Sequence, residues 1–356
     1  MLYIIFLTGI CNLKCEYCGG TIPEEVMPFE IKYDIDLLKE FMKGDSNAVV
    51  AFYGGEPLLR INIMKEMMDT LPAKHFVVQT NGLFLSRIPE EYLKRLDAIL
   101  VSIDGRSEVT DFYRGRGVYK TIVNEIEKIR DIYKGDLIAR MVVTEKSDIY
   151  REVTHLLSLP FDHIHWQLNV VWAPENSWKD FNGWVRNIYN PGISKLVEFW
   201  TENLKNGKIL GIVPFLGVLK RMIWPEDGVP CGAGRNAVAI TTDGRVLACP
   251  IGGEFKWNEL GTLENSIYAD YINRVDVSPS CKKCDVYREC GGRCLFANKE
   301  RLWGEDGFNS VCATVKHLVY EIRKAKKVVD EVIESGLFEL EDFRYPPFNN
   351  TTEIIP

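Results

Sequence analysis

Leu2-Tyr-Ile-Ile-Phe-Leu7 runs through Thr8-Gly9-Ile10 into Cys11-Asn-Leu-Lys-Cys15-Glu-Tyr-Cys18, a β-branched and aromatic run that empties into three thiols. No basic residues precede the run, and Ile10 is not the small residue that cleavage before a lipidated cysteine needs, so a secretory or lipoprotein signal is not expected here. The stretch reads as a buried first strand. Outward from it the same rhythm repeats, with apolar runs at Leu2–Leu7, Val49–Tyr53, His75–Gln79, Ala98–Ile103, Leu137–Val143 and His163–Val170. Segments with apolar residues every three or four positions follow, among them Tyr33–Met42, Ile61–Thr70, Tyr119–Tyr133 and Ile193–Lys205. Six β-α units predict a parallel sheet, doubly wound or curved into a full or partial barrel, with function at the carboxyl ends of its strands.

The 356 residues suit one enzyme-sized domain plus an attachment. Apolar residues at 46% and charged residues at 26% exclude a disordered or fibrous chain. A net charge of −7 without a long basic run argues against nucleic-acid binding. The apolar stretch Ile209–Trp224 is broken by Pro214, Lys220 and Arg221, so no membrane span is expected. Ten cysteines in a chain long enough to build a core point to metal or redox chemistry in a reducing cytoplasm rather than to a disulfide scaffold.

After about residue 206 the β-α rhythm gives way to Gly- and Cys-rich segments and then to a charged amphipathic helix at Cys312–Ser335. The chain therefore divides into 1–206, a barrel-type domain; 207–336, a smaller unit with seven of the cysteines, stabilised by metal bonds; and 337–356, a surface tail with Pro346, Pro347 and Asn349–Thr352. No internal repeat is present.

Three thiolates within eight residues can ligate three corners of an iron–sulfur cube and leave the fourth iron open, while a zinc knuckle stays an alternative. A zinc site wants a fourth Cys or His nearby, and the nearest histidine in sequence is His75. The second strand ends in Gly54-Gly55-Glu56-Pro57. Its glycines allow close backbone approach, and Glu56 offers a carboxylate to a cationic group such as an ammonium; an ordinary strand-to-helix turn is the plain alternative.

The CxxxCxxC loop with Tyr17 before its last cysteine, followed by GGEP, resembles the radical S-adenosylmethionine enzymes. Gln79-Thr80-Asn81-Gly82, Ser102-Ile103-Asp104-Gly105 and Arg140-Met141-Val142-Val143-Thr144 resemble the peptide-modifying branch. The resemblance implies a partial (β/α)6 TIM-type barrel. It also implies a 4Fe-4S cluster on the catalytic cysteines Cys11, Cys15 and Cys18, whose open iron binds the amino and carboxylate groups of S-adenosylmethionine. Gly54, Gly55, Glu56 and Pro57 would hold the amino group, Ser102 and Arg140 the ribose or carboxylate, and Val170 the adenine. Reductive cleavage would yield a 5′-deoxyadenosyl radical that abstracts a substrate hydrogen, the hard step belonging to the cofactor.

The later order Cys231, Cys249, Cys281-x2-Cys284-x5-Cys290-x3-Cys294, Cys312 resembles the SPASM extension, which carries up to two auxiliary 4Fe-4S clusters. The run Cys281–Cys294 by itself would equally suit a zinc ribbon. By resemblance, Cys281, Cys284, Cys290 and Cys312 form a distal cluster, and Cys294 joins Cys231 and Cys249 on a proximal one. That second set is a thiol short, so a non-cysteine ligand, a water or a substrate group such as a peptide cysteine completes it. Anaerobic sulfatase-maturing relatives carry an aspartate where this chain has Pro250, which disfavours formylglycine formation.

The expected function is modification of a peptide or small protein, with an external electron donor such as ferredoxin or flavodoxin. The chain starts directly on strand one, so leader recognition would fall to a separate protein or to the catalytic domain. Alternatives are a radical enzyme on a small molecule, such as a porphyrin precursor, and a non-catalytic iron–sulfur electron carrier. Trp166, Trp172, Trp178 and Trp184 read as a peptide groove or as buried aromatics. His163 and His165 share a strand face as proton shuttles or core residues. Asp104 binds substrate or caps its turn, and the charged run Arg323–Lys327 reads as a solvated helix face.

Overall fold

The computed structural model describes residues 1–170, 173–346 and 355–356; Trp172, Pro347 and Asn349–Thr352 lie outside them. Contacts gather the chain into two compact units. The first comprises residues 1–103, 107–138 and 231–276, and the second residues 104–106, 139–230 and 277–356.

Five strands of the first unit run parallel: β1 (Leu2–Phe6), β2 (Val49–Tyr53), β3 (His75–Thr80), β4 (Ala98–Ser102) and β7 (Ala237–Ile240). β1 is interior, pairing Ile4 with Ala51 of β2 on one side and with Ala239 of β7 on the other. All five of its residues are buried, which explains why the opening run is continuously apolar instead of alternating. β8 (Arg245–Leu247) and β9 (Glu259–Thr262) extend the sheet antiparallel beyond β7. Residues 231–276 thus sit with the first sheet, whereas the sequence division at residue 206 places them in the cysteine-rich unit. Short strands of three or four residues carry too little periodicity to be read from sequence.

β5 (Asp136–Val143) carries the chain into the second unit, which also holds β6 (His163–Leu168). The six expected strands are therefore all present. The long helix Gly304–Glu334 begins two turns before its expected start, so Cys312 lies inside it. Its buried residues Val311, Val315, Leu318, Ile322, Ala325, Val329 and Val332 fall on one stripe. Beyond residue 336 the surface-tail reading does not hold for every described residue, because Phe343, Tyr345 and Ile355 are buried.

The described tryptophans of that set, Trp166, Trp178 and Trp184, settle on the core side of their two readings. Trp166 is fully buried and donates through Nε1 to Tyr189 Oη at 3.0 Å. Trp178 and Trp184 are buried with ring centroids 4.8 Å apart, beside Phe181. His165 is likewise a buried residue.

Candidate active site

The loop leaving β1 turns back at once. The N–H groups of Cys18 and Gly19 both donate to the carbonyl of Cys15 at 3.1 Å, and the Cys11 N–H donates to Thr21 Oγ1 at 3.1 Å. This tight return places three thiols at the carboxyl end of β1. The Cys18 thiol is brought down to about 6, first by the hydrogen bond from Cys15 and further by the Gly20 N–H and the Arg114 charge, all against burial. Burial pushes the Cys11 thiol up, and the Glu56 carboxylate and the Cys18 thiolate push the same way, against hydrogen bonds from Leu13 and Asn81. The three cysteines therefore share one electrostatic field.

Glu56, three residues past β2 at the cap of the short helix Pro57–Arg60, is fully buried. Its Oε1 accepts from the Leu58 N–H at 2.9 Å and from Thr80 Oγ1 at 2.7 Å, and its Oε2 accepts from the Asn81 N–H at 2.7 Å. Burial outweighs those three bonds and raises its pKa to about 7. The carboxylate thus braces the exits of β2 and β3, a task the motif alone does not suggest. Asn81 extends the brace by donating from Nδ2 to Asn12 Oδ1 at 2.8 Å. The QTNG signature is in this way tied to the cysteine loop itself. Thr80 and Asn81 were noted only within the QTNG signature and Asn12 only within the cysteine loop, without roles, since a lone Asn or Thr carries no spacing signal.

The paired glycines answer to backbone proximity. A Cβ on Gly54, whose φ is +144°, would stand 2.4 Å from Thr8 O, and one on Gly55 would stand 2.4 Å from Ile10 O. Gly55→Ala is accordingly expected to push the β2 exit off the cysteine loop. Its check is reconstituted iron content together with thermal melting, both expected to fall below wild type.

Ser102 is half-buried at the end of β4. In the second unit, Arg140 is buried within β5 and bonds Gln167 Oε1 and the Met141 carbonyl. Asp104 is fully buried and accepts from the Val142 N–H at 2.9 Å, which supports its turn-bracing reading. Val170, just past β6, lines a cavity with Arg293, Arg301, Trp303 and Phe308.

Cys281, Cys284, Cys290, Cys294 and Cys312 border one largely apolar pocket, open in part to solvent. Burial pushes the Cys290 thiol up to about 12 and raises Cys312 as well, while the neighbouring Arg293 charge works against both. The walls are tightly tied. Arg221 donates to the carbonyls of Gly228 at 3.0 Å and Arg288 at 3.3 Å, and Arg323 holds the buried Glu289 through two bonds of 2.9 Å. Cys231 and Cys249 belong to the first unit. There Asn258 clamps the Cys249 backbone, accepting from its N–H at 2.8 Å and donating to its carbonyl at 2.9 Å.

No disulfide links any of the ten cysteines, and among the described residues no three His, Cys, Asp or Glu side chains form a ready-made metal-ligating group. The donor chemistry nevertheless fits iron–sulfur clusters. One loop offers three thiols with one already acidified, and one cavity is ringed by five more.

Comparison with known proteins accords with this chemistry. Residues 5–155 match the radical SAM superfamily. The chain is 31% identical to the mycofactocin maturase MftC of Mycolicibacterium smegmatis over 322 residues, covering 82% of this chain and 77% of that protein. It is 21% identical to the cysteine-type anaerobic sulfatase-maturating enzyme of Clostridium perfringens over 348 residues, covering 86% and 91% of the two chains. The solved structure of native anSMEcpe with bound AdoMet superposes with a TM-score of 0.74 at 19% identity, covering 93% of this chain and all of that one. The fold is thus the partial barrel expected from the sequence, and the chain belongs to the radical SAM superfamily. It is an enzyme of that class, dependent on a 4Fe-4S cluster and S-adenosylmethionine, with maturases among its relatives. Among the described residues, no helix is long and apolar enough to cross a membrane.

Proposed function

We propose that this enzyme modifies a residue of a peptide or small protein in the cytoplasm, drawing electrons from a ferredoxin- or flavodoxin-type donor. One observation carries the reading. Three thiols share a field at the end of β1, beside a glycine turn that Glu56 locks to β3. Cys11, Cys15 and Cys18 would hold the first cluster, and the Gly54–Gly55 backbone would meet the S-adenosylmethionine amino group. When bound there, the cluster and S-adenosylmethionine would supply the reductive radical chemistry needed to break a substrate C–H bond. The chain's own part is to bind, orient and exclude water, with Ser102, Arg140 and Val170 offered to the nucleoside.

Cys281, Cys284, Cys290 and Cys312 would hold an auxiliary cluster. Relatives named as maturases, and a neighbouring structure of anSMEcpe with bound AdoMet and the Cp18Cys peptide, support a peptide substrate. Pro250 supports a product other than formylglycine. The test is anaerobic reconstitution, dithionite reduction and assay of 5′-deoxyadenosine, first alone and then with short peptides encoded beside the enzyme. Release of 5′-deoxyadenosine and a mass change on one peptide are expected. A fully loaded cluster that releases none would leave the electron-carrier reading in its place.

A further inference from the structure

The cysteine cavity of the second unit carries a feature that the cluster ligands alone do not explain. Asn298 lies on the short helix Leu295–Glu300, directly after Cys294, and is only 3% exposed. Its Oδ1 accepts from the Ser278 N–H at 2.7 Å, and its Nδ2 donates to Cys281 Sγ at 3.0 Å. The orientation is chemically fixed. A backbone N–H can only donate, so the amide oxygen must face Ser278 and the NH₂ must face the sulfur. The contact sits beside a segment that Arg301 holds by donating to Ser278 Oγ at 3.3 Å and Ser280 Oγ at 3.4 Å.

We propose that Asn298 is a positioning residue that sets the reduction potential of the auxiliary cluster on Cys281, Cys284, Cys290 and Cys312. This rests on the reading of those four cysteines as cluster ligands. With four thiolates for four irons that cluster has no open corner, which suits it to passing electrons rather than binding substrate. Reduction adds one electron to an already anionic cluster. An N–H pointed at a ligand sulfur stabilises the more negative state and so raises the potential. Arg293, buried to 94% and bordering the same cavity, adds its charge in the same direction.

The test is a redox titration of the reconstituted full-length enzyme followed by electron paramagnetic resonance, with Asn298→Ala and Asn298→Asp beside wild type. Asn298→Asp keeps an acceptor for Ser278 while replacing the donor that faces sulfur. Losing one charge-assisted hydrogen bond is expected to lower the equilibrium constant for reduction of one auxiliary cluster about tenfold, about 59 mV for a one-electron couple. Asn298→Asp should move it further in the same direction. After exchange into deuterated water, a deuteron coupling to that cluster should be present in wild type and absent in both variants. The S-adenosylmethionine-binding cluster and dithionite-driven 5′-deoxyadenosine release should stay as in wild type. An unmoved potential with the cluster loaded overturns the proposal, and so does loss of that cluster's iron in both variants, which would make Asn298 a scaffold residue. Iron content of wild type matching one cluster only would instead overturn the auxiliary-cluster reading, before any variant is made.

Discussion

Reconstituted Cys15→Ala enzyme is expected to release 5′-deoxyadenosine at least about a thousandfold more slowly than wild type, some 4 kcal/mol of lost barrier reduction. The substitution is a clean one. The loop's return is held by the backbone carbonyl of Cys15, which accepts from the Cys18 and Gly19 N–H groups, and alanine keeps that carbonyl. What goes is the thiol, proposed above as a cluster ligand and the main reason that Cys18 is acidified. A cluster left with two thiolates should not seat S-adenosylmethionine, so iron content falls along with activity. Cys290→Ala supplies the contrast, because its thiol borders the cavity of the second unit. That variant should still release 5′-deoxyadenosine with dithionite while losing the modified peptide. Equal loss of 5′-deoxyadenosine in both variants would contradict the division of labour between the two cysteine sets.

The two ends of the chemistry were unequally legible in the sequence. β1 through β6 are long runs whose apolar period is set by burial on both faces, and such runs are visible without a structure. β7 to β9 were not visible, because strands of three and four residues acquire their conformation from pairing to β1 and to each other. The cysteines were legible because thiolate chemistry demands a residue type at a spacing. Glu56 was found through its motif, which suggested a ligand contact; that its carboxylate also accepts from Leu58, Thr80 and Asn81 was not visible in the sequence. Of the residues that hold the thiols in place, Asn81 was seen only as part of the QTNG signature, with no role given, and Asn258 and Asn298 were missed. Each acts through the direction of one amide, and direction is a property of the fold, not of the sequence.

Glu56→Ala is expected to cost about 3–5 kcal/mol of stability, because it strands three buried donors that a single carboxylate now satisfies. Those donors are the Leu58 N–H, the Thr80 hydroxyl and the Asn81 N–H, and the site is fully buried, so water cannot replace the lost acceptor. Urea unfolding of the unloaded full-length protein measures the effect apart from iron content. The same group predicts a pH dependence. Burial raises Glu56 from 4.5 to about 7 in the folded chain. Between those two values the folded state binds the proton and the unfolded state does not, so stability falls as pH rises through that window, by about 3 kcal/mol in all, and levels off above it. Below 4.5 both states are protonated and the contribution is fully present. Glu56→Gln cannot ionise, so it should remove this slope while keeping one oxygen for the donors. If wild type and Glu56→Gln show the same slope between pH 5 and pH 7, the buried carboxylate is already ionised at the lower pH. The three donors would then be outweighing burial, and the brace between β2 and β3 would be a charged one.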